Sequence, residues 1–201
     1  GEASGLVGRA SASAAGGGRP ISVLVNNAGL QHVKPCEDFA TADWDRLIAV
    51  NLTAPFLTIK AALPGMYAAG FGRIVCVASA HSTVASPYKS AYNASKHGLV
   101  GLVRTVALEA AAVDPAVDVT VNAVSPGYVN TEMVQRQLGQ TAEARGIPKE
   151  QVIEEVIMGA HPSKAFVEPE EVAEFITFLA SDGARSFCGA NLTMDRGWTA
   201  R

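Results

Sequence analysis

The sequence has few cysteines, little net charge and no long apolar run, and each shortage excludes a class of function. Three cysteines among 201 residues, Cys36, Cys76 and Cys188, lie far apart without the spacing of metal ligands. We therefore expect reduced thiols, with Cys76 in the core, and no metal site. A formal net charge of −3 argues against nucleic acid or an anionic membrane surface as the main partner. No apolar run approaches the roughly 20 residues of a transmembrane helix. These absences predict a cytoplasmic protein without a membrane or nucleic-acid partner.

The first part of the chain differs in composition from the rest. Residues 1–20 are rich in glycine, alanine and serine and show little apolar periodicity, which predicts a flexible tail. The chain as a whole is 48% hydrophobic, and its apolar patterns lie in residues 21–201. That segment can bury one sizeable core, so we predict a single domain over residues 21–201.

The stretch between Ser79 and Lys96 combines a strand, a turn and the start of a helix. Residues 72–79, GRIVCVAS, are rich in β-branched residues, which predicts a buried parallel strand that ends at Ser79. From about Tyr88 the pattern turns helical, so Tyr92 and Lys96, four residues apart, lie on one helix face. The apolar stripe of this helix consists of Leu99, Val103, Val106 and Ala110. A hydroxyl, a phenol and an ammonium group can therefore converge at the end of a sheet.

These three groups suit the interconversion of a carbonyl and an alcohol. A free tyrosine titrates near pH 10, and a lysine cation beside Tyr92 is expected to lower that pKa. Ser79 can hydrogen-bond the substrate oxygen while Tyr92 exchanges its proton, and a nicotinamide carries the hydride. The alternative is a surface tyrosine and lysine on an ordinary helix, which a lone pair at this spacing usually is.

Five motifs together resemble the short-chain dehydrogenase/reductase family, in order and in spacing. They are VNNAG (residues 25–29), Asn51 in VNLTAPF, Ser79, the pair Tyr92 and Lys96, and NAVSPGYVNT (residues 122–131). The resemblance covers residues 21–198. It implies an α/β fold, a doubly wound Rossmann-like parallel sheet with helices on both faces.

The resemblance also implies a catalytic set and a cofactor site. Its catalytic residues match Asn51, Ser79, Tyr92 and Lys96 here. Asn51 would hold a water in a proton relay toward Lys96, although a polar residue within an apolar helical stripe can also be a satisfied core asparagine. The positions matching the family's cofactor contacts are Asn27, Ala28, Gly29, Tyr92, Lys96, Pro126, Gly127, Val129 and Thr131. The implied cofactor is NAD, with NADP left open, and the implied assembly is a homo-oligomer, commonly a tetramer.

A second set of residues resembles one subgroup of that family, the D-3-hydroxybutyrate dehydrogenases. The stretches that resemble the sequences of this subgroup are NNAGLQHV, ASAHSTVASPYKSAY, GIPKEQ and PSKAFVEPEEVA. In the subgroup two glutamines, a histidine and a lysine bind the substrate carboxylate, and they match Gln31, His81, Lys89 and Gln137. Tyr128 stands where the subgroup more usually has tryptophan, and Arg196 where it more often has glycine. The implied reaction converts D-3-hydroxybutyrate to acetoacetate. A sibling reductase for another small oxo acid or sugar stays open.

The part of the family that binds the cofactor pyrophosphate has no match in this sequence. A complete member begins with a strand, a glycine-rich turn of the TGxxxGxG type and a helix, whose N-terminus accepts the pyrophosphate. Here GEASGLVG follows no strand, and the resemblance starts just ahead of the family's fourth strand. We therefore predict a truncated, partial domain whose first strand has an exposed edge. The other hypothesis for function is an inactive remnant or an oligomerisation partner.

Four further expectations concern single elements. The apolar run of residues 21–29 predicts a strand buried on both faces. Helical spacing predicts one long helix over Thr41–Ala69, with Thr41 as a possible N-cap. Residues 131–162 are expected to form a helical lid broken at Gly146 and Pro148. Trp198 is expected at a subunit interface or near a neighbour's pocket.

Overall fold

In the part of the chain that the structure describes, four parallel strands form the central sheet. The computed structural model describes residues 9–10 and 18–200, so most of the predicted tail (residues 1–20) lies outside the described residues, and the division into tail and domain stays a prediction. The strands lie in the order β1-β2-β3-β4. In the register Val25 pairs with Val75, and Val75 with Asn122. The strand bounds are β1 Val23–Asn26, β2 Phe71–Val77, β3 Asp118–Pro126 and β4 Asn191–Met194.

Helices connect the strands and cover both faces of the sheet, as the Rossmann-like prediction requires. Their bounds are α1 Thr41–Ile48, α2 Ala54–Ala69, α3 Ser90–Ala111, α4 Glu132–Arg145, α5 Lys149–Gln151, α6 Met158–Ala160 and α7 Pro169–Leu179. Gly146, with φ of +65°, ends α4, which confirms the predicted break in the lid region. A capping box between Glu168 and Glu171 begins α7.

Two apolar clusters hold the layers together. On one face of the sheet, α2 and α3 pack against β2 and β3, and the predicted stripe of α3 is buried there. Residues of this cluster include Ile59, Met66, Ile74, Cys76, Leu99, Val103 and Val121. On the other face α7 packs its apolar side, including Val172 and Leu179, on Val75 and Val124. Each fully buried side chain of this size contributes about 1.5–3 kcal/mol relative to an exposed one.

Strand β1 lies at the edge of the sheet, and one of its faces is open. Val23 and Val25 are 40% and 41% exposed, while Leu24 packs against the core. The predicted exposed edge is confirmed, but burial on both faces is wrong. A continuous apolar run buries both faces only in a strand that is covered on each side. Here only the face that carries Leu24 is covered.

The helix from Thr41 to Ala69 is continuous, as predicted, but it begins differently and contains a wider turn. Ala40 is the residue before the first turn and gives no side-chain cap, so the N-cap prediction for Thr41 is wrong. Residues Ala49–Thr53 form a π-helical segment between α1 and α2. Such segments place an extra residue in the helix and often accompany functional sites.

One helix among the described residues is long and apolar enough to cross a membrane, by length and composition alone. It is Thr41–Ala69, with a mean hydropathy of 1.5 in its most apolar window, of which 33% is buried. The expectation that no apolar segment reaches this length is therefore wrong. Ile59 and Met66 of this helix lie in the core, and a core helix meets the same criterion. Trp44 and Phe56 are partly exposed on it.

Candidate active site

A cavity of about 670 Å³ lies where β2 and β3 end. In open α/β sheets, ligands bind outside the carboxyl ends of the strands, and this cavity has that position. It brings together most of the residues predicted from the sequence. Those lining it are Asn27, Gly29, Ser79, His81, Lys89, Tyr92, Lys96, Pro126, Gly127, Val129, Thr131 and Gln137. Gln31, Ala28 and Asn51 are not among the lining residues.

Ser79 and Tyr92 line the same cavity, and their catalytic roles stay predictions. Ser79 follows β2 and accepts a hydrogen bond from the backbone N–H of His81 at 3.1 Å. Desolvation raises the pKa of Tyr92, and the hydrogen bond from Ser79 only partly offsets that rise. The prediction that Lys96 makes Tyr92 acidic is therefore wrong for this structure, because desolvation of the phenolate dominates. Tyr92 is a neutral phenol at pH 7 and can donate a proton.

The ammonium group of Lys96 is held at the end of β2. Nζ of Lys96 donates a 2.7 Å hydrogen bond to the carbonyl oxygen of Val77 and lies 5.7 Å from the ring centroid of Tyr92. Burial lowers the pKa of Lys96 to about 8, so it remains a cation at neutral pH. A Cβ on Gly29 would lie 3.8 Å from this Nζ and 3.6 Å from Oδ1 of Asn51. Glycine at position 29 therefore leaves free space beside both groups.

Asn51 lies in the π-helical segment with its amide fully used. Its Oδ1 accepts from the backbone N–H of Leu30 at 2.8 Å, and its Nδ2 donates to the carbonyl of Leu30 and to Oγ of Ser95 at 2.9 and 3.2 Å. These bonds agree with the alternative reading, in which Asn51 is a core asparagine whose hydrogen bonds are satisfied. They hold the loop after β1 against α3. The relay role stays a prediction.

Polar side chains gather at another part of the cavity. His81 Nε2 lies 2.8 Å from Oγ of Ser86, and burial lowers the pKa of His81 to about 3, so its imidazole is neutral. Burial, followed by the charge of Arg145, lowers the pKa of Lys89 to about 7. Nζ of Lys89 donates a 3.3 Å hydrogen bond to the hydroxyl of Tyr128, and Gln137 lines the same cavity.

Gln31 stands apart from the other predicted substrate residues. Both its Oε1 and its Nε2 are buried without a hydrogen-bond partner among the described residues. An unpaired buried amide is costly, about 1–3 kcal/mol, so a polar partner is expected for it. Because Gln31 does not line the cavity, its access to a ligand stays a prediction.

Trp198 lies in the turn after β4, and its place at a subunit interface or near a neighbour's pocket stays a prediction. It lines this chain's own cavity, where its ring stacks on Tyr128 with centroids 5.2 Å apart and planes at 9°. It also meets His81 edge-on at 4.9 Å. The sequence contains no local signal for this contact, because Trp198 and Tyr128 are 70 residues apart and meet only through the turn after β4. In that turn Arg196 has φ of +50°, a backbone conformation that glycine adopts more readily than other residues.

Comparisons with known proteins agree on one family. Residues 6–199 match a family model described as Enoyl-(Acyl carrier protein) reductase, a model of short-chain dehydrogenases and reductases. The chain is 51% identical over 179 residues to a D-beta-hydroxybutyrate dehydrogenase from Rhizobium meliloti, and 48% identical over 179 residues to one from Cupriavidus necator. Each match covers 89% of this chain and 68% of the relative.

The fold is also similar to that of a solved structure. The crystal structure of levodione reductase superposes with a TM-score of 0.84 at 29% sequence identity. That match covers 98% of this chain and 72% of the other. The parallel sheet with helices on both faces is therefore the fold of a reductase of known structure.

Proposed function

Because the chain belongs to the short-chain dehydrogenase/reductase family, an oxidoreductase family whose members generally use NAD(P), we propose that it interconverts D-3-hydroxybutyrate and acetoacetate with NAD. One observation carries this proposal. The proton-donating pair of Ser79 and Tyr92 shares a cavity with His81, Lys89 and Gln137, a donor set suited to a small carboxylate. The names of the two dehydrogenase relatives support the same substrate.

The described residues fit one half of such a cofactor. Val25, Val172 and Ile176 give the cavity apolar walls, and Asn27 and Gly29 lie at its rim after β1, where a nicotinamide and its ribose would be held. A pyrophosphate needs backbone N–H groups at a glycine-rich turn before a helix. The described strand-to-helix turns do not have such a sequence. When bound, the cofactor supplies or accepts the hydride.

The chain's own groups then manage the proton and the oxygen. In reduction, the neutral phenol of Tyr92 donates its proton to the oxygen of acetoacetate as the carbonyl becomes an alcohol. The hydroxyl of Ser79 hydrogen-bonds that oxygen and the phenol. The cation of Lys96 stabilises the tyrosinate that forms, and Asn51 stays in the proposed relay that returns a proton. In oxidation of D-3-hydroxybutyrate each of these steps runs in reverse.

The carboxylate determines how the substrate is oriented. Lys89 is desolvated, and within the described part of the chain its ammonium bonds the neutral hydroxyl of Tyr128 and forms no ion pair, so a carboxylate would bring a counter-charge. Gln137 and the neutral imidazole of His81 add hydrogen bonds, and we assign Gln31, with its unpaired amide, to the same set. Such a site rejects analogues without a carboxylate, because its buried polar groups would be left unpaired.

A second candidate is a chain of this family that does not turn over by itself. The chain spans 68% of the length of the two dehydrogenase relatives, and no glycine-rich turn provides a pyrophosphate cradle in the part that the structure describes. On this alternative the protein is an inactive remnant or an oligomerisation partner. A third alternative is a sibling reductase, which would differ from both candidates because it turns over another oxo acid or a sugar.

The experiment compares the chain with a chimera. The chimera adds to the chain the segment that precedes the matched region in the Rhizobium meliloti relative. We measure NADH and NADPH binding by fluorescence and acetoacetate-dependent oxidation of both. We expect little turnover by the chain alone and turnover with NADH by the chimera, reduced at least about 100-fold in Tyr92→Phe.

The matched variants separate the alternatives. Gln137→Leu in the chimera should raise KM for acetoacetate more than it lowers kcat. A chimera that binds NADH without reducing acetoacetate contradicts the substrate, whereas one that binds no nicotinamide cofactor supports the remnant. Ordinary turnover by the chain alone would show that it needs no added segment.

Family members are generally oligomeric, and we propose the same for this chain. Phe56 on α2 and Leu108 on α3 are 45% and 75% exposed. Helices with such outward apolar residues are expected to pack against a second copy. Light scattering after size-exclusion chromatography tests the assembly, with Leu108→Glu expected to shift it toward the monomer.

A further inference from the structure

His161 connects two backbone segments behind the polar end of the cavity. It follows α6 and is fully buried. The backbone N–H of Tyr128 donates to its Nε2 at 3.2 Å, and its Nδ1 lies 2.9 Å from the carbonyl oxygen of Ala165. A backbone N–H only donates and a carbonyl only accepts, so Nε2 must be the bare nitrogen and Nδ1 must carry the proton. Burial lowers the pKa of His161, which keeps this neutral tautomer.

The packing leaves the imidazole almost no freedom. A Cβ on Gly127 would lie 2.5 Å from Nε2 of His161 and 3.1 Å from Cα of Asp195. Only glycine at position 127 allows His161 to come this close to the backbone. The segment after His161 also holds Tyr128 from its other side, because the N–H of Val167 donates to the carbonyl oxygen of Tyr128 at 2.9 Å. Both backbone groups of Tyr128 are thus fixed by residues 161–167.

Tyr128 transmits this constraint to the cavity. Its hydroxyl receives the hydrogen bond from Lys89, and its ring stacks on Trp198. The ring of His161 lies 5.7 Å from that of Tyr128 and 5.8 Å from that of Trp198. A displaced Tyr128 would therefore release the ammonium of Lys89 from its place in the cavity wall.

We propose that His161 is a positioning residue, which fixes Tyr128 and, through its hydroxyl, sets the place of Lys89 at the carboxylate end of the cavity. The role in carboxylate binding rests on the proposed function, but the fixing of Tyr128 does not. His161 itself has no contact with the substrate in this account. It determines substrate affinity through a backbone hydrogen bond.

The first test needs no substitution and no ligand. Nitrogen-15 NMR of the imidazole distinguishes the two neutral tautomers of His161. We expect a protonated Nδ1 and a bare Nε2 at pH 7. A protonated Nε2 would exclude the hydrogen bond from Tyr128 and overturn the proposal.

The second test compares His161→Gln with His161→Leu in a Trp44→Phe background, where Trp198 is the one remaining tryptophan. Glutamine keeps a donor and an acceptor, whereas leucine keeps only the volume. We expect His161→Leu to lose the near-ultraviolet circular dichroism of the stacked Tyr128 and Trp198, and His161→Gln to retain most of it. Acetoacetate binding, followed by the fluorescence of Trp198, should weaken about tenfold in His161→Leu alone.

The readouts keep this proposal separate from the proposed function. If the parent protein does not bind acetoacetate, the proposed substrate fails, while the tautomer and the dichroism still decide whether His161 fixes Tyr128. Equal dichroism in the leucine and glutamine variants overturns the proposal. If His161→Leu does not fold, Gly127→Ala displaces the imidazole from the other side and is expected to cause the same loss. In the active chimera, His161→Leu should raise KM with a smaller change in kcat.

Discussion

The ammonium group of Lys96 donates a 2.7 Å hydrogen bond to the carbonyl of Val77, the last residue of β2. This bond joins α3 to the sheet beneath the cavity. Desolvation outweighs any effect of this charge on Tyr92, because the pKa of Tyr92 is raised. The lysine therefore anchors the site in this structure, and its charge becomes useful once a tyrosinate forms beside it.

We expect the phenol of Tyr92 to titrate above pH 10 in the free protein. Desolvation disfavours the phenolate, so its pKa is raised from the ordinary value. The difference in phenolate absorbance between wild type and Tyr92→Phe measures this group alone. Because burial lowers the pKa of Lys96 to about 8, Lys96 is neutral where Tyr92 titrates, so the same difference in a Lys96→Met background should show no clear shift. Tyr128→Phe provides the comparison, since burial raises the pKa of Tyr128 to about 12. Titration of Tyr92 below pH 9 would contradict the account.

Carboxylate binding should weaken as the pH rises through the pKa of Lys89. Burial lowers that pKa to about 7, and only the cation attracts a carboxylate, so Kd for acetoacetate should rise about tenfold per pH unit above it. His81, with a pKa of about 3, stays neutral and adds no dependence. The fluorescence of Trp198 in the Trp44→Phe background measures Kd between pH 6 and pH 9.

Lys89→Met is the control for this dependence. It should bind acetoacetate weakly and equally at every pH in that range. A constant Kd in the parent protein would exclude Lys89 as the group that holds the carboxylate.

Local patterns in the sequence predict much of this fold. The stripe of Leu99, Val103 and Val106 defines α3, and that helix carries Tyr92 and Lys96 to the end of β2. Ser79 follows a strand of β-branched residues and lines the same cavity as Tyr92. These features depend on helix and strand periodicity, which short stretches of sequence contain.

Other features depend on distant parts of the chain. Val25 is exposed because no described element covers its face of β1, and the residues around Val25 contain no signal of that. Trp198 and His161 reach Tyr128 from segments 70 and 33 residues away. The acidity of Tyr92 was misjudged because burial and neighbouring charge act in opposite directions, and spacing alone does not show which is larger.

We expect Asp118→Ala to destabilise the protein by about 3 kcal/mol, because it leaves the cation of Arg73 buried without its carboxylate. Arg73 is fully buried, and its two terminal nitrogens donate to the carboxylate of Asp118 at 3.0 and 2.7 Å. Urea unfolding measures the change. Asp182→Ala is the matched control, since that carboxylate lies 3.9 Å from Arg73 and is 93% exposed, and it should change stability by less than about 0.5 kcal/mol.

The same ion pair should make stability depend on pH in a definite direction. The hydrogen bond from Arg73 lowers the pKa of Asp118, so its stabilisation is present above the unfolded value of about 3.9 and is lost as the pH falls through the lower folded value. Asp118→Ala should remove that part of the acid sensitivity. An equal acid response in both proteins would contradict this assignment.

Val23→Glu should reduce aggregation without unfolding the protein, because β1 presents a free edge and an exposed apolar face. An open strand edge pairs with other chains, and a charge on it disfavours that pairing. Glutamate is preferred to lysine, since Val23 lies opposite Arg73 in the register. The loss of β-propensity is expected to cost less than about 1 kcal/mol.

Leu24→Glu is the matched control. Leu24 lies next to Val23 but packs against the core, so a carboxylate at this position would be buried and should unfold the sheet. Light scattering against protein concentration, with the thermal midpoint, measures both effects. If Val23→Glu aggregates at the wild-type concentration, another surface causes the association; if Leu24→Glu is as stable as Val23→Glu, the assignment of the two faces of β1 is wrong.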